Sequence, residues 1–348
     1  MSIEEQEQSC EEFHTPSKIV EYYLINVKGY VDISICVVGS ILNLLNIIVF
    51  TRKNMISPVN MIFTHLAWAD LLMLLLFIPY TWFECFEEYT NGGWTYQQTF
   101  WYIWLGNVPA IFYFMSVFLT VMLSVWRHIA IVHPLKERQW CSMKMTRNVV
   151  IAGYLTSVLL GIPMYFSTGI KHVGNNQTQI YIPHAVEDSN LFIISRIINS
   201  VLYQLLPAIA LPIFSYKLII VLRAKKEHQQ YQNPSTDINN IRSTRTPEMR
   251  NKSDRSIVLL LTVMALHLIS KLPAGIIDLL YLTYGRANKI AWECYFNVSV
   301  IFETMSCVTL SVTFVIYYTM GNHFRITFNS LFIRKKCEEI DTDVESEY

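Results

Sequence analysis

Apolar residues in this chain run in long blocks separated by short polar stretches. Crossing about 30 Å of hydrocarbon takes roughly 20 mostly apolar helical residues. Seven blocks are long enough: Tyr30–Thr51, Val59–Trp82, Trp101–Val132, Asn148–Ile170, Leu191–Leu222, Ile257–Leu282 and Trp292–Met320. The third, fifth and seventh exceed one crossing, which predicts tilt or extension beyond the bilayer. Ala224–Asp254, between the fifth and sixth, is rich in Gln, Asn, Ser and Thr, has no apolar period, and reads as a disordered cytoplasmic loop. Beyond the seventh, Asn322–Lys336 sets Phe324, Phe328, Leu331 and Phe332 at helical spacing opposite basic residues, the pattern of a helix lying on membrane lipid. The expected fold is an all-α membrane protein, a seven-transmembrane helix bundle with a short amphipathic eighth helix. Residues 1–29 form an extracellular tail, 30–320 the bundle including the loop at about 224–254, and 321–348 the amphipathic helix and cytoplasmic tail.

Composition supports the membrane reading. Apolar residues make up 52%, charged residues 16%, and mean hydropathy is +0.31, whereas soluble domains carry roughly a quarter charged residues. The 27 basic and 27 acidic residues balance, so no global field calls for nucleic acid. Their distribution carries more information. Of the 27 basic residues, 18 fall on the side holding Arg52-Lys53, the 224–254 loop and the carboxyl tail, and 5 fall on the other. Positive charge stays on the cytoplasmic side, which puts the amino terminus outside and the carboxyl terminus inside. The acidic first 29 residues lack a basic n-region, so no cleavable signal is expected and the first block serves to insert the chain. The two halves show no repeat, which argues against an inverted-repeat transporter. Seven scattered cysteines have no metal-ligand spacing. His133 and Cys141 have no third group to orient them as a nucleophilic pair, and no enzyme is expected.

Polar residues inside the blocks are the candidates for function, because a charge in hydrocarbon is costly unless something receives it. Arg127, in Trp126-Arg127-His128, ends the main apolar run of the third block. Asp70 lies mid-block in the second. Lys271 lies too deep in the sixth to reach either surface easily, and Asp278 stands two turns further along the same face. Arg196 lies in the fifth block and Glu84 just outside the second. Asn176-Gln177-Thr178 is a glycosylation sequon in an external loop, and Cys337, after the amphipathic segment, is a candidate for lipidation.

Several landmarks occur in one order: Asn43, Leu66-Ala67-Trp68-Ala69-Asp70, Arg127 with His133-Pro134-Leu135, Pro163, Pro207, Pro273, and Tyr317 seven residues before Phe324-Arg325. Together they resemble the rhodopsin-like (class A) G protein-coupled receptors. SVWRHIAIVHPLKERQWC from Ser124 to Cys141, Thr51-Arg52-Lys53 with Ser57-Pro58-Val59-Asn60, and Asp254-Arg255-Ser256 are similar to the myosuppressin-receptor group, invertebrate receptors for FMRFamide-like neuropeptides. The resemblance implies a plasma-membrane receptor for an amidated peptide that signals to a heterotrimeric G protein, with arrestin a further candidate partner. It also implies roles for residues. Glu84, Arg196, Lys271, Asp278 and Glu303 would bind the ligand, with Asp278, Glu303 or Glu84 receiving its arginine. Phe83, Trp94, Trp101 and Tyr281 would pack its phenylalanine. In the alternative, Lys271 and Glu303 only neutralise each other. Asn43, Asp70, Ser116, Thr309, Thr313 and Tyr317 would form a polar activation core, either holding sodium or water at Asp70 or serving structure alone. No other cofactor is implied. Trp126, Arg127 and His128 would meet the G protein.

The departures from that pattern are specific. Tyr102 stands where most relatives have the third-helix cysteine, and Lys171–Asn190 contains no cysteine, so the usual bridge cannot form. Cys10, Cys85 and Cys294 are left to pair otherwise or not at all. Trp126 replaces the acid that clamps the arginine, and Asp254, beside the competing Arg255, is the nearest alternative acceptor. The segment Thr313–Tyr317 lacks the usual Asn and Pro, and the seventh block has no lysine for a retinal Schiff base. A divergent chemosensory receptor for a small molecule is the second reading, and a transporter or channel the third.

Overall fold

The computed structural model describes residues 27–87, 94–173, 180–185, 190–231, 247–284 and 289–333. Helices α1 (Gly29–Phe50), α2 (Pro58–Trp82), α3 (Tyr96–Val132), α4 (Pro134–Trp140) and α5 (Met143–Phe166) come first. An antiparallel hairpin follows, β1 (Thr168–His172) with β2 (Tyr181–Ala185), running from Thr168 opposite Ala185 to His172 opposite Tyr181. Then come α6 (Asn190–Ile197), a π-helical segment (Ile198–Leu205), α7 (Leu206–Tyr231), α8 (Pro247–Tyr284), α9 (Lys289–Met320) and α10 (Asn322–Phe332). Among the described residues six helices are long and apolar enough to cross a membrane. The predicted sixth block lies within α8, a 38-residue helix.

Local chemistry sets the helix starts. Ser57 accepts from the Asn60 amide with Pro58 in the first turn, Thr95 and Gln98 close a capping box, and Ser142 accepts from the Met145 amide. Each satisfies an otherwise unpaired N–H. These caps start α3 and α5 ahead of the apolar blocks. α5 also ends earlier than predicted, because the chain from Thr168 enters the hairpin. The flanks of the predicted disordered loop are helical: α7 runs to Tyr231 and α8 begins at Pro247. Ala224-Lys225-Lys226-Glu227 are all good helix formers. Residues 232–246 lie outside the described ones.

The helix faces are arranged for lipid. On α5 the buried positions are Thr146, Val150, Gly153, Ser157 and Gly161, while Ile151, Leu155, Val158, Leu159 and Ile162 are exposed. Small residues turned inward and large apolar ones outward are what packing in hydrocarbon favours, since no hydrophobic force draws the helices together. α1 packs on α2 and α9, and α3 touches α2, α5 and α7. Where α1 meets α9, a Cβ on Gly39 would fall 2.1 Å from Ser311 Oγ, so only glycine allows that approach. α10 docks through Phe324, whose ring lies 5.1 Å from Phe50 and 6.0 Å from Tyr317. The hairpin covers one end of the bundle; α4 and α10 lie at the other.

Candidate functional site

At the hairpin end a cavity of about 240 Å³ is lined by α2, α3, the π segment, α8 and α9. Asp278 marks one wall. Its Oδ2 accepts from Asn199 Nδ2 at 3.0 Å and Gln204 Nε2 at 2.7 Å, and Arg196 Nη1 lies 3.9 Å from Oδ1. In an α-helix residues five apart point about 140° apart. The π winding of Ile198–Leu205 brings Asn199 and Gln204 onto one carboxylate instead. Pro207, which lacks an N–H, stands just beyond that segment.

Lys271 occupies the cavity's depth. Its Nζ donates to Ser306 Oγ and sits 4.3 Å from the centre of the Tyr113 ring, a cation–π distance. It makes no ion pair with Glu303. The neutralisation held open as the alternative is not formed; instead Glu303 Oε2 lies 3.1 Å from Lys28 Nζ. Lys28, assigned by sequence to the extracellular tail, has its side chain fully buried and is also paired with Glu84 and, at 3.6 Å, with Asp32. The approach is possible because Gly29 has no Cβ; one would come within 2.8 Å of the Phe86 ring. Three carboxylates therefore surround one ammonium. Asp32 also accepts from Thr304 at 2.7 Å, tying α1 to α9.

Of the expected ligand-binding residues, Lys271, Asp278 and Glu303 line the cavity, whereas Glu84 and Arg196 hold Lys28 and Asp278 from outside it. The expected aromatic residues do not line it. Trp94 packs on Tyr102 at 4.6 Å, Tyr281 is buried beside Arg196, and Trp101 faces away against Phe100 and Trp104. The rings that do are Phe77, Tyr113, Phe114 and Phe302. Lys28, Asp32, Asn199 and Gln204 were missed by sequence reading. An i, i+4 pairing of Lys28 with Asp32 was the available signal.

The hairpin is tied without a disulfide. Tyr181 donates its amide to the Trp94 carbonyl at 2.9 Å, and Thr99 Oγ1 donates to the Tyr181 carbonyl at 3.1 Å. Tyr102, in place of the usual cysteine, stacks on Tyr80 at 5.2 Å. Cys85 is a buried free thiol. Cys10, Asn176 and Cys337, and the side chains of Cys294, Asp254 and Arg255, lie outside those described.

In mid-bundle the polar core divides in two. Ser116 donates to Asp70 Oδ1 at 2.6 Å. Asn43 Nδ2 donates to the Leu310 carbonyl at 3.1 Å, and Thr313 Oγ1 lies 3.5 Å from Asn43 Oδ1. Thr309 bonds back to Met305, and Tyr317 packs against Phe50 and Phe63. A hard cation takes several converging oxygens. Asp70 and Ser116 supply one linked pair of oxygens there.

At the opposite end Trp126 is a correction. Grouped by sequence with the coupling residues, it is only 5% exposed and its indole donates to Thr146 Oγ1 at 3.2 Å, tying α3 to α5. Arg127 is half-buried and makes no ion pair among the described residues. His128 lies 5.9 Å from the Phe214 ring. Burial, and then the charge of Glu137, push the Cys141 thiol pKa up, which disfavours the reactive thiolate. Among the described residues no group of three or more His, Cys, Asp or Glu gathers as a metal site.

Helices long and apolar enough to cross a membrane thus carry a polar cavity at one end and, at the other, an arginine with no ion pair among the described residues. The chain belongs to a G protein-coupled receptor family: residues 30–335 match the family described as serpentine type 7TM GPCR chemoreceptor Srw. It is 26% identical to the Caenorhabditis elegans G-protein coupled receptor dmsr-1 over 89% of this chain and 69% of that one. It is 25% identical to the sex peptide receptor-related protein 2 of the same organism, over 90% and 75%. The Drosophila melanogaster FMRFamide receptor is 21% identical over 96% of this chain and 59% of that receptor.

Proposed function

We propose that the protein is a class A receptor for an amidated, FMRFamide-like or myosuppressin-like neuropeptide, with the hairpin end outside the cell and the α10 end in the cytoplasm. The observation that carries this is the charge around Lys28. Asp32, Glu84 and Glu303 surround a single ammonium, which leaves an excess of carboxyl groups over cations. The Glu303 side chain is 40% exposed and lines the cavity. A ligand guanidinium at Glu303 would share that excess through a charge-assisted hydrogen bond. Phe77, Phe114 and Phe302 offer apolar walls to a neighbouring aromatic side chain. The names of the relatives, which include an FMRFamide receptor, agree with a peptide ligand.

Binding of such a peptide stabilises one bundle arrangement by its greater affinity for it, and at the cytoplasmic end Arg127 meets the G protein. The experiment is a panel of amidated peptides applied to cells expressing the receptor, with G-protein activation as the readout. An RF-amide should activate. A second reading, a chemosensory receptor for a small molecule, is favoured by the cavity's modest volume of about 240 Å³ and by the family's description. Silence to every peptide with a response to a small odorant would establish that reading instead.

A further inference from the structure

Lys28 and the cavity meet at one residue. Glu303 lines the cavity with its side chain 40% exposed, and its Oε2 lies 3.1 Å from the Lys28 ammonium. Lys28 is fully buried and does not line the cavity. One carboxylate is therefore open to a ligand and held at the same time by a resident cation. Lys28 has other acceptors. Its ammonium carries three donors, and Glu84 Oε2 takes one of them. Asp32 Oδ2 lies 3.6 Å from Lys28 Nζ and is buried with no hydrogen-bond partner among the described residues. Glu84 is steadied by the Tyr80 hydroxyl, 3.4 Å from its Oε1, and Asp32 by Thr304, which donates to its Oδ1 at 2.7 Å. A donor turned away from Glu303 thus meets an acceptor already in place.

We propose that Lys28 is a resident competitor for Glu303 and thereby sets how strongly the cavity favours a cationic ligand group. A guanidinium or ammonium arriving at Glu303 draws on the carboxylate that Lys28 holds, and the two like charges repel. Lys28 then shifts its bond to Asp32 Oδ2 while keeping Glu84, so no buried charge is left unpaired. The movement is small, since 3.6 Å has only to close to the roughly 2.9 Å of an N–H···O bond. A neutral group of the same shape cannot drive that exchange, and Glu303 stays with Lys28. Glu84 and Asp32 do not line the cavity; they act on the ligand through Lys28. The more firmly they hold the ammonium, the more of Glu303 is left for the ligand.

This assignment rests on reading Glu303 as the receiver of a ligand cation, and the test separates the two. A peptide ending in Arg-Phe-amide is compared with the same peptide carrying citrulline, an uncharged isostere, in place of arginine. Receptor number is matched by surface labelling. Wild type should prefer the arginine form by at least about tenfold. Glu84→Gln and Asp32→Asn leave Lys28 leaning on Glu303. Each should narrow the preference at least about threefold by weakening the arginine form alone. In a Lys28→Met background Glu84→Gln should narrow nothing, because the competitor is gone, and Lys28→Arg should bring the narrowing back. A preference unchanged by both Glu84→Gln and Asp32→Asn overturns the competition, whether or not Lys28→Met reaches the cell surface. Equal narrowing with and without Lys28 also overturns it, because Glu84 then attracts the ligand directly. Either result leaves the cationic-ligand reading standing. Arginine and citrulline forms that act equally on wild type, or silence to both, overturn that reading and the competition with it.

Discussion

Lys28 and Arg127 are cations withdrawn from water at opposite ends of one bundle, and their surroundings differ completely. Lys28 is fully buried and meets Asp32, Glu84 and Glu303 from α1, the π-helical segment Phe83–Glu87 that continues α2, and α9. Arg127 is half-buried and meets no carboxylate within ion-pair distance among the described residues; Trp126, in the place of the usual acid, turns toward Thr146. One cation is part of the structure. The other has no carboxylate partner among the described residues, and the proposed role for it is to meet a partner from another protein.

The comparison can be broken from either end. The largest effect is expected at Arg127. Arg127→Ala should abolish G-protein activation while the affinity for a labelled agonist peptide is retained; unaltered signalling would remove Arg127 from the coupling surface. Lys28→Met comes next. Removing one partner from a buried ion cluster costs about 3–5 kcal/mol, a large share of the roughly 5–15 kcal/mol that holds a protein folded. Surface abundance and melting temperature in detergent should both fall, and adding Glu303→Gln should recover part of the loss. An unchanged melting temperature would mean that the cluster bears no load. The smallest effect belongs to the hairpin. Thr99→Val removes the bond to the Tyr181 carbonyl, worth about 1 kcal/mol, and should speed proteolysis of the hairpin without lowering the melting temperature of the bundle appreciably.

Much of the scaffold was legible before folding. The apolar blocks located the helices and the i, i+4 spacing of Phe324, Phe328 and Phe332 located α10, whereas the caps at Ser57, Thr95 and Ser142 went unread and set the helix starts ahead of the blocks. The site was legible only in part. Lys271, Asp278 and Glu303 stood out because a charge in an apolar block is conspicuous, but their partners did not. Lys28 looked like a tail residue, since counting basic residues by loop takes no account of which side chains fold inward. Gln204 and Asn199 escaped because they are five apart, a spacing with no common face on an α-helix.

The sequence by itself determined the number and order of the apolar blocks, the helical fold, and which charges would be costly, because those follow from hydrocarbon thickness and local backbone chemistry. Tertiary structure alone decided who compensates whom. Lys28 reaches Glu84 only because Gly29 lets α1 close on Phe86, and Gln204 reaches Asp278 only because the helix widens at Ile198–Leu205. Pairings across many residues of separation depend on distances that no local pattern encodes. The hairpin that lacks its disulfide is held for the same reason, by a backbone bond from Tyr181 to Trp94 that exists only once the two segments have met.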